Sequence, residues 1–164
     1  MKPKIKYMFD YDCYPLWSID DATIKQFGFN ITDLRGLDLS DSTIKMIEYC
    51  CEMFDGQLNP IYPGFPSFWS GRMYAFFQYS IKHLLEKINK DIQEFYEIEN
   101  HEVQRFNEEI NIERIDIELK NFLSNPAQFA IKNGISFNSE KELKNEIQNS
   151  FNEWNKKEFK YYTI

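Results

Sequence analysis

Apolar side chains recur along this chain at helical spacing in several places, and each recurrence predicts an element. Between Ser40 and Asp55, the residues Ile44, Ile47, Cys51 and Phe54 fall three or four positions apart, the period that gathers side chains on one helix face. Ser40 suits the N-cap and Gly56 the stop. A longer stripe of Met73, Phe77, Ile81, Leu84, Ile88, Ile92 and Phe95 predicts a long central core helix from about Ser67 to Tyr96. Residues 103–123 hold Val103, Phe106, Ile110, Ile112, Ile115, Ile117, Leu119, Phe122 and Leu123, which predict one or two more helices. Within them, the run from Ile110 to Ile117 also alternates like a strand. Asn125-Pro126 opens a short helix that closes at Asn133-Gly134. Ser139-Glu140-Lys141-Glu142 fits a capping box, and the helix it starts carries Leu143, Ile147, Phe151 and Trp154 on one face.

Alternation of period two is confined to short stretches. Lys4 to Phe9 predicts a strand, and the tail from Phe159 to Ile164 is its candidate partner. Asp10 to Gly36, with Pro15, Gly28 and scattered Asp, reads as mostly irregular, anchored by Trp17, Ile19, Ile24, Phe27 and Phe29. Residues 57–66 contain three prolines and a glycine, a stiff loop because proline fixes its own φ and restrains its predecessor. The expected architecture is mainly α: one domain over residues 1–164, irregular with one helix over 1–66 and helical over 67–164. A chain of 164 residues buries roughly 70% of its unfolded surface and needs no disulfide or metal to fold.

Composition narrows the classes. With 43% hydrophobic and 17% aromatic residues the chain is too apolar for a disordered polymer, yet no stretch approaches the roughly 20 apolar residues that span a bilayer. The basic N-terminus lacks an apolar core, so it is not a secretory signal. Cys13, Cys50 and Cys51 are an odd set that points to a reduced, cytoplasmic chain. The net charge of −7 argues against a nucleic-acid binder, since phosphate contacts dominate that affinity, and fits a basic protein partner. Residues 91–118 hold ten acids and only Arg105 and Arg114, a net −8 that leaves the rest of the chain at +1. Like charges at helical spacing cost a few tenths of a kcal/mol per pair. Such a block is either a solvated face or a docking surface on which charge steers a basic partner.

The chemistry-bearing residues form no pattern of their own. The glycines stand singly, so nothing cradles a phosphate. His83 flanks the long stripe, and His101 sits among Glu99 and Glu102. Asp10 and Asp12 would lie about 7 Å apart on one face if extended, placed for a cation or for acid–base work; turn and helix capping is the commoner task of such Asp residues. Ile61, Tyr62, Phe65, Phe68 and Trp69 on the proline-stiffened loop either close the core or serve as rigid interface anchors. No catalytic residue, cofactor or metal ligand is assigned.

Asp10-Tyr11-Asp12-Cys13-Tyr14-Pro15-Leu16-Trp17 resembles the acid-Tyr-x-Cys-x-Pro-Leu-Trp opening of a group of small bacterial proteins. Leu39-Ser40, Phe54-Asp55-Gly56-Gln57-Leu58-Asn59 and Gly64-Phe65 follow in the order that group shows. The similarity spans about residues 2–85 and is to immunity proteins of polymorphic toxin and contact-dependent growth inhibition systems. It implies stoichiometric binding rather than catalysis: one-to-one occlusion of a cognate toxin's active site in the cytoplasm, with no nucleic acid or membrane as partner. Acidity suits a nuclease target with a basic groove, and an EndoU-type RNase is the candidate. The expected contacts are Glu97, Glu99, Glu102, Glu108, Glu109, Glu113 and Asp116, with Tyr62 and Phe65 as aromatic anchors. Two rivals stand beside this reading: a non-catalytic helical adaptor, and a small enzyme using Asp10, Asp12 and Cys13.

Overall fold

The structure, a computed structural model, describes residues 1–163. It is mainly α, with 56% of the chain helical. The elements run β1 (Lys4–Tyr7), β2 (Leu16–Ser18), α1 (Asp21–Phe27), α2 (Asp41–Asp55), α3 (Gly71–Ile92), β3 (Glu97–Asn100), α4 (Val103–Asn107), α5 (Ile112–Ser124), α6 (Pro126–Lys132) and α7 (Glu140–Tyr161). They group into two compact units, Met1–Asp55 with Phe76–Glu109, and Gly56–Ala75 with Ile110–Ile164.

In the first unit a three-stranded sheet has the order β2-β1-β3, with β1 antiparallel to β2 and parallel to β3. Ile5 and Tyr7 point to one face and are fully buried, as alternation in a half-covered strand requires. The Tyr7 hydroxyl donates to the Ile81 carbonyl of α3 at 2.8 Å. Phe9, Phe54 and Phe77 meet edge-on, tilted or stacked at 5.4–5.8 Å, ring contacts that add to their area burial. Ile81, Leu84, Ile88 and Ile92 are fully buried along α3, and Ile47, Cys50 and Met53 along α2.

Three departures from the sequence reading lie in this unit. Residues 10–36 contain β2 and α1 rather than irregular chain alone. The helix α1 is only two turns long, and tertiary bonds hold it: Asp20 caps Thr23 and also accepts from the Lys4 amide at 2.6 Å, while the Thr23 hydroxyl reaches the Lys4 carbonyl. Ile19 and Phe29 are exposed instead of anchoring. Finally, α3 spans 71–92, because Ser70 caps it and the chain turns after Ile92 to form β3; Phe95 is exposed. Glu97-Ile98-Glu99-Asn100 has few strand formers, and pairing with β1 overrides that local preference.

In the second unit, Phe65, Phe122 and Phe129 form a triangle of ring contacts at 5.5–6.1 Å, and Phe68 meets Phe151 edge-on. The ambiguous run 110–117 is helical from Ile112, capped by Asn111 onto the Arg114 amide. Asn125 caps α6, and Gly134 follows that helix at φ +68°. Ser139 caps α7 through the Glu142 amide. The tail does not pair with β1, whose neighbours are β2 and β3. The helical period of Leu143, Ile147, Trp154, Glu158 and Tyr161 instead carries α7 through residue 161, and Ile164 lies outside the described residues.

Two carboxylates meet the start of α3 in this unit. Buried Glu158 accepts from the Ser70 amide at 3.0 Å, and Asp116 accepts from the Gly71 amide at 2.8 Å. Anions suit that position because the first amides of a helix have no partner within it.

Candidate partner-binding surface

Each acid of the 91–118 block has a definite placement, and many serve the fold. Asp91 accepts from both the amide and the hydroxyl of Ser40 at 2.9 Å, so it holds the start of α2. Burial opposes its ionisation, but hydrogen bonds from Thr43 and Ser40 outweigh that and keep its pKa below the usual 3.8. Glu97 and Glu99 lie on the outer sheet face and share Lys4, at 3.5 and 3.3 Å. Glu99 also lies 3.4 Å from the His101 ring, and hydrogen bonds from His101 and then Lys4 lower its pKa.

Glu102 is interior: only 5% exposed, it takes the Phe9 amide at 2.7 Å on one oxygen and Arg105 Nε at 2.9 Å on the other. The Arg105 guanidinium in turn lies over Phe54 and Phe77. Glu94, Glu108 and Glu109 are exposed and make no ion pair or side-chain hydrogen bond among the described residues. The chain around Glu108 is nevertheless fixed, because the Gln78 amide donates to the carbonyls of Arg105, Phe106 and Glu108 at 2.7–3.4 Å.

In the second unit, Glu113 is exposed in the first turn of α5 and Asp116 is engaged with Gly71. Glu118 pairs with Arg114, both well exposed, a contact of little energetic weight. Tyr62 is 46% exposed and packs edge-on against Phe65, which is itself buried in the aromatic triangle.

The residues weighed for catalysis, Asp10, Asp12 and Cys13, sit in a turn. Residues 9–12 are not extended: the chain turns, with Asp12 at φ +57°, a conformation Asp tolerates better than most residues. Asp10 accepts from the Tyr11 amide, and the Asp12 amide donates to Asp55. Trp17 closes the turn by donating to the Met8 carbonyl, and Tyr11 stacks on Phe54. The thiol of Cys51 lies 3.6 Å from the Cys13 carbonyl. Burial pushes the Cys51 thiol up to about 12 and raises that of Cys13, where Asp10, Asp12 and Asp55 add to the effect. A nucleophilic cysteine needs the opposite shift. His83 stacks on Tyr79 and lies 3.6 Å from Glu86. No group of three metal-ligating side chains occurs among the described residues.

Sequence reasoning passed over the exposed residues Tyr79 on α3 and Val103 on α4, 69% and 52% accessible. Tyr79 had a legible signal, since it lies off the Phe77–Ile81–Leu84 stripe of its helix. Val103 had none, because its position counted toward a longer predicted helix.

The motif at 10–17, the sheet and α1–α3 together define the class: residues 3–102, more than half of the chain, match an immunity-protein family. The chain belongs to that family, described as Serratia CdiI immunity protein-like. No curated protein matches the sequence. The match ends at Glu102, so Glu108, Glu109, Glu113 and Asp116 lie beyond it. Membership implies a cognate toxin as partner. No described helix is long and apolar enough to cross a membrane.

Proposed function

We propose that this chain neutralises its cognate toxin by one-to-one binding that covers the toxin's active site, acting in the cytoplasm and without catalysis of its own. The family match over residues 3–102 carries this reading. The target is a nuclease with a basic groove, an RNase and in particular one of EndoU type. Unengaged carboxylates at Glu94, Glu108, Glu109 and Glu113 support that choice, since complementary charge draws a basic partner in and fixes its register. Glu97 and Glu99 add to the acidic surface despite sharing Lys4, while Glu102 and Asp116 act through the fold. Tyr62 is the exposed aromatic contact, and Phe65 supports it from inside.

The test first looks beside this gene for a large secreted protein with a C-terminal toxin domain, and then pairs the chain with that domain. Co-expression restores growth, the purified pair elutes as a one-to-one complex, and an equimolar amount of the chain stops RNA cleavage by that domain. Cells that die with both proteins present would overturn the immunity reading. Rescue without inhibition of RNA cleavage would overturn the RNase assignment alone.

A further inference from the structure

The two edges of the sheet differ. Outside β2, the Ser18 amide donates to the Phe29 carbonyl and the Ile31 amide to the Leu16 carbonyl, both at 2.9 Å, and the Asn30 side chain donates to the carbonyls of Tyr14 and Leu16. That edge is closed by the chain itself. Along β3 and just past its end, the Glu97 and His101 amides donate to the carbonyls of Pro3, just before β1, and Tyr7 of β1. Because alternate residues of a strand face the same neighbour, the amides and carbonyls of Ile98 and Asn100 point away from β1. None of these four groups has a hydrogen-bond partner among the described residues. Free edges of this kind are templates for another strand, and proteins usually cover or blunt them.

The side chains on the edge specify what fits. Ile98 is opposite buried Ile5, on the core side of the sheet, whereas Glu97 and Glu99 stand on the outer face. Across that face the order is Trp17, then Lys6 and Lys4, then Glu97 and Glu99, with Lys6 over the Trp17 ring. Two glutamates share one lysine, and no described strand pairs with β3 on its far side. Opposite charges on adjacent strands stabilise pairing.

We propose that the outer edge of β3 receives an extended segment of the cognate toxin, which adds a fourth strand and sets Lys or Arg at alternate positions against Glu97 and Glu99. Main-chain bonds to Ile98 and Asn100 supply affinity, and the alternating cations supply specificity. The proposal rests on the immunity reading and names the surface through which it works.

The proposal is tested first on the free full-length chain by amide hydrogen exchange, in which Ile98 and Asn100 exchange at least about tenfold faster than Glu99 and His101. Adding the cognate toxin domain, identified by the co-expression test above, slows Ile98 and Asn100 to the level of their neighbours. Ile98→Pro removes one outward amide and leaves the bonds to β1 in place, a substitution edge strands tolerate; Ile98→Ala makes a comparable side-chain loss and keeps the amide. Ile98→Pro binds the toxin domain about 100-fold more weakly than Ile98→Ala. The double variant E97Q/E99Q associates about tenfold more slowly at low salt. Protected Ile98 and Asn100 amides in the free chain, or equal affinity of the two Ile98 variants with no slowing of exchange in the complex, would sink the edge proposal and leave immunity standing. Should Ile98→Pro fail to fold, exchange in the wild-type complex decides alone. A wild-type chain that does not bind the toxin domain removes the immunity reading itself.

Discussion

Removing the Glu102 carboxylate leaves two groups without a partner, the Phe9 amide inside the first unit and the half-buried Arg105 guanidinium. A buried donor that loses its acceptor costs about 1–3 kcal/mol, and the stranded arginine adds to that, moderated by its access to water. Glu102→Ala is therefore expected to lower stability by about 2–4 kcal/mol in urea unfolding, while Glu102→Gln, which keeps an acceptor, loses less. A matched loss from the two variants would show that the carboxylate is not working through these bonds. Gly71 makes a different demand. A Cβ placed there would overlap the backbone of Ile112, the first residue of α5, and backbone cannot swing aside as a long side chain does. Gly71→Ala is expected to cost about 1–3 kcal/mol, although alanine is the better helix former, and unchanged unfolding would mean that α5 shifts freely.

Two helices of the first unit begin on carboxylates that also make long-range bonds, which ties their stability to pH. Asp91 at the end of α3 holds Ser40, the residue before α2, and Asp20 ahead of α1 also takes the Lys4 amide of β1. Hydrogen bonds from the Thr23 and Lys4 backbone lower the Asp20 pKa, and those from Thr43 and Ser40 lower that of Asp91 against the opposing effect of burial. A group whose pKa is lower in the folded state stabilises it fully above the unfolded value of 3.8. That contribution fades as pH falls through the folded value. Asp91→Ala should lose about 1 kcal/mol at pH 7, a difference that shrinks as pH falls below 3.8 and through the lowered folded pKa, read from thermal unfolding across acid pH; a pH-independent difference would contradict the capping role. Such long-range caps also explain what was legible. The stripes of α2, α3 and α7 and the caps at Asn125 and Ser139 were readable because each depends on neighbours in sequence. By contrast α1, β2 and β3 depend on Lys4, Tyr7 and the rest of β1, as much as 93 residues away in the register of β3, and no local spacing announces such partners. The candidate surface divided the same way: the acidic block was visible as composition, but burial of Glu102 and engagement of Asp116 follow from tertiary contacts.

At the scale of the whole molecule, the net charge of −7 is the quantity a distant partner meets first, yet only part of it is available at short range. Carboxylates tied into ion pairs and helix starts present little free charge, whereas Glu108 and Glu109 in the first unit and Glu113 in the second are exposed and unengaged. At physiological ionic strength screening acts over about 8 Å, so long-range attraction depends on the total charge and close-range orientation on these few residues. Charge reversal in each unit separates the two effects. E108K/E109K and a second variant, E113K with Glu118→Lys, each change the net charge by +4. If only the total matters, both should slow association with the toxin domain equally, by about tenfold at low salt, and both should flatten the dependence of the association rate on salt. If one unit carries the contact, its variant alone should also speed dissociation, because mispaired charge inside an interface acts on the bound state. Stopped-flow association and dissociation rates between 20 and 300 mM salt distinguish these outcomes. Identical rates for wild type and both variants would exclude Glu108, Glu109, Glu113 and Glu118 from recognition and leave Glu97 and Glu99, which lie within the family match, as the acidic contacts to test.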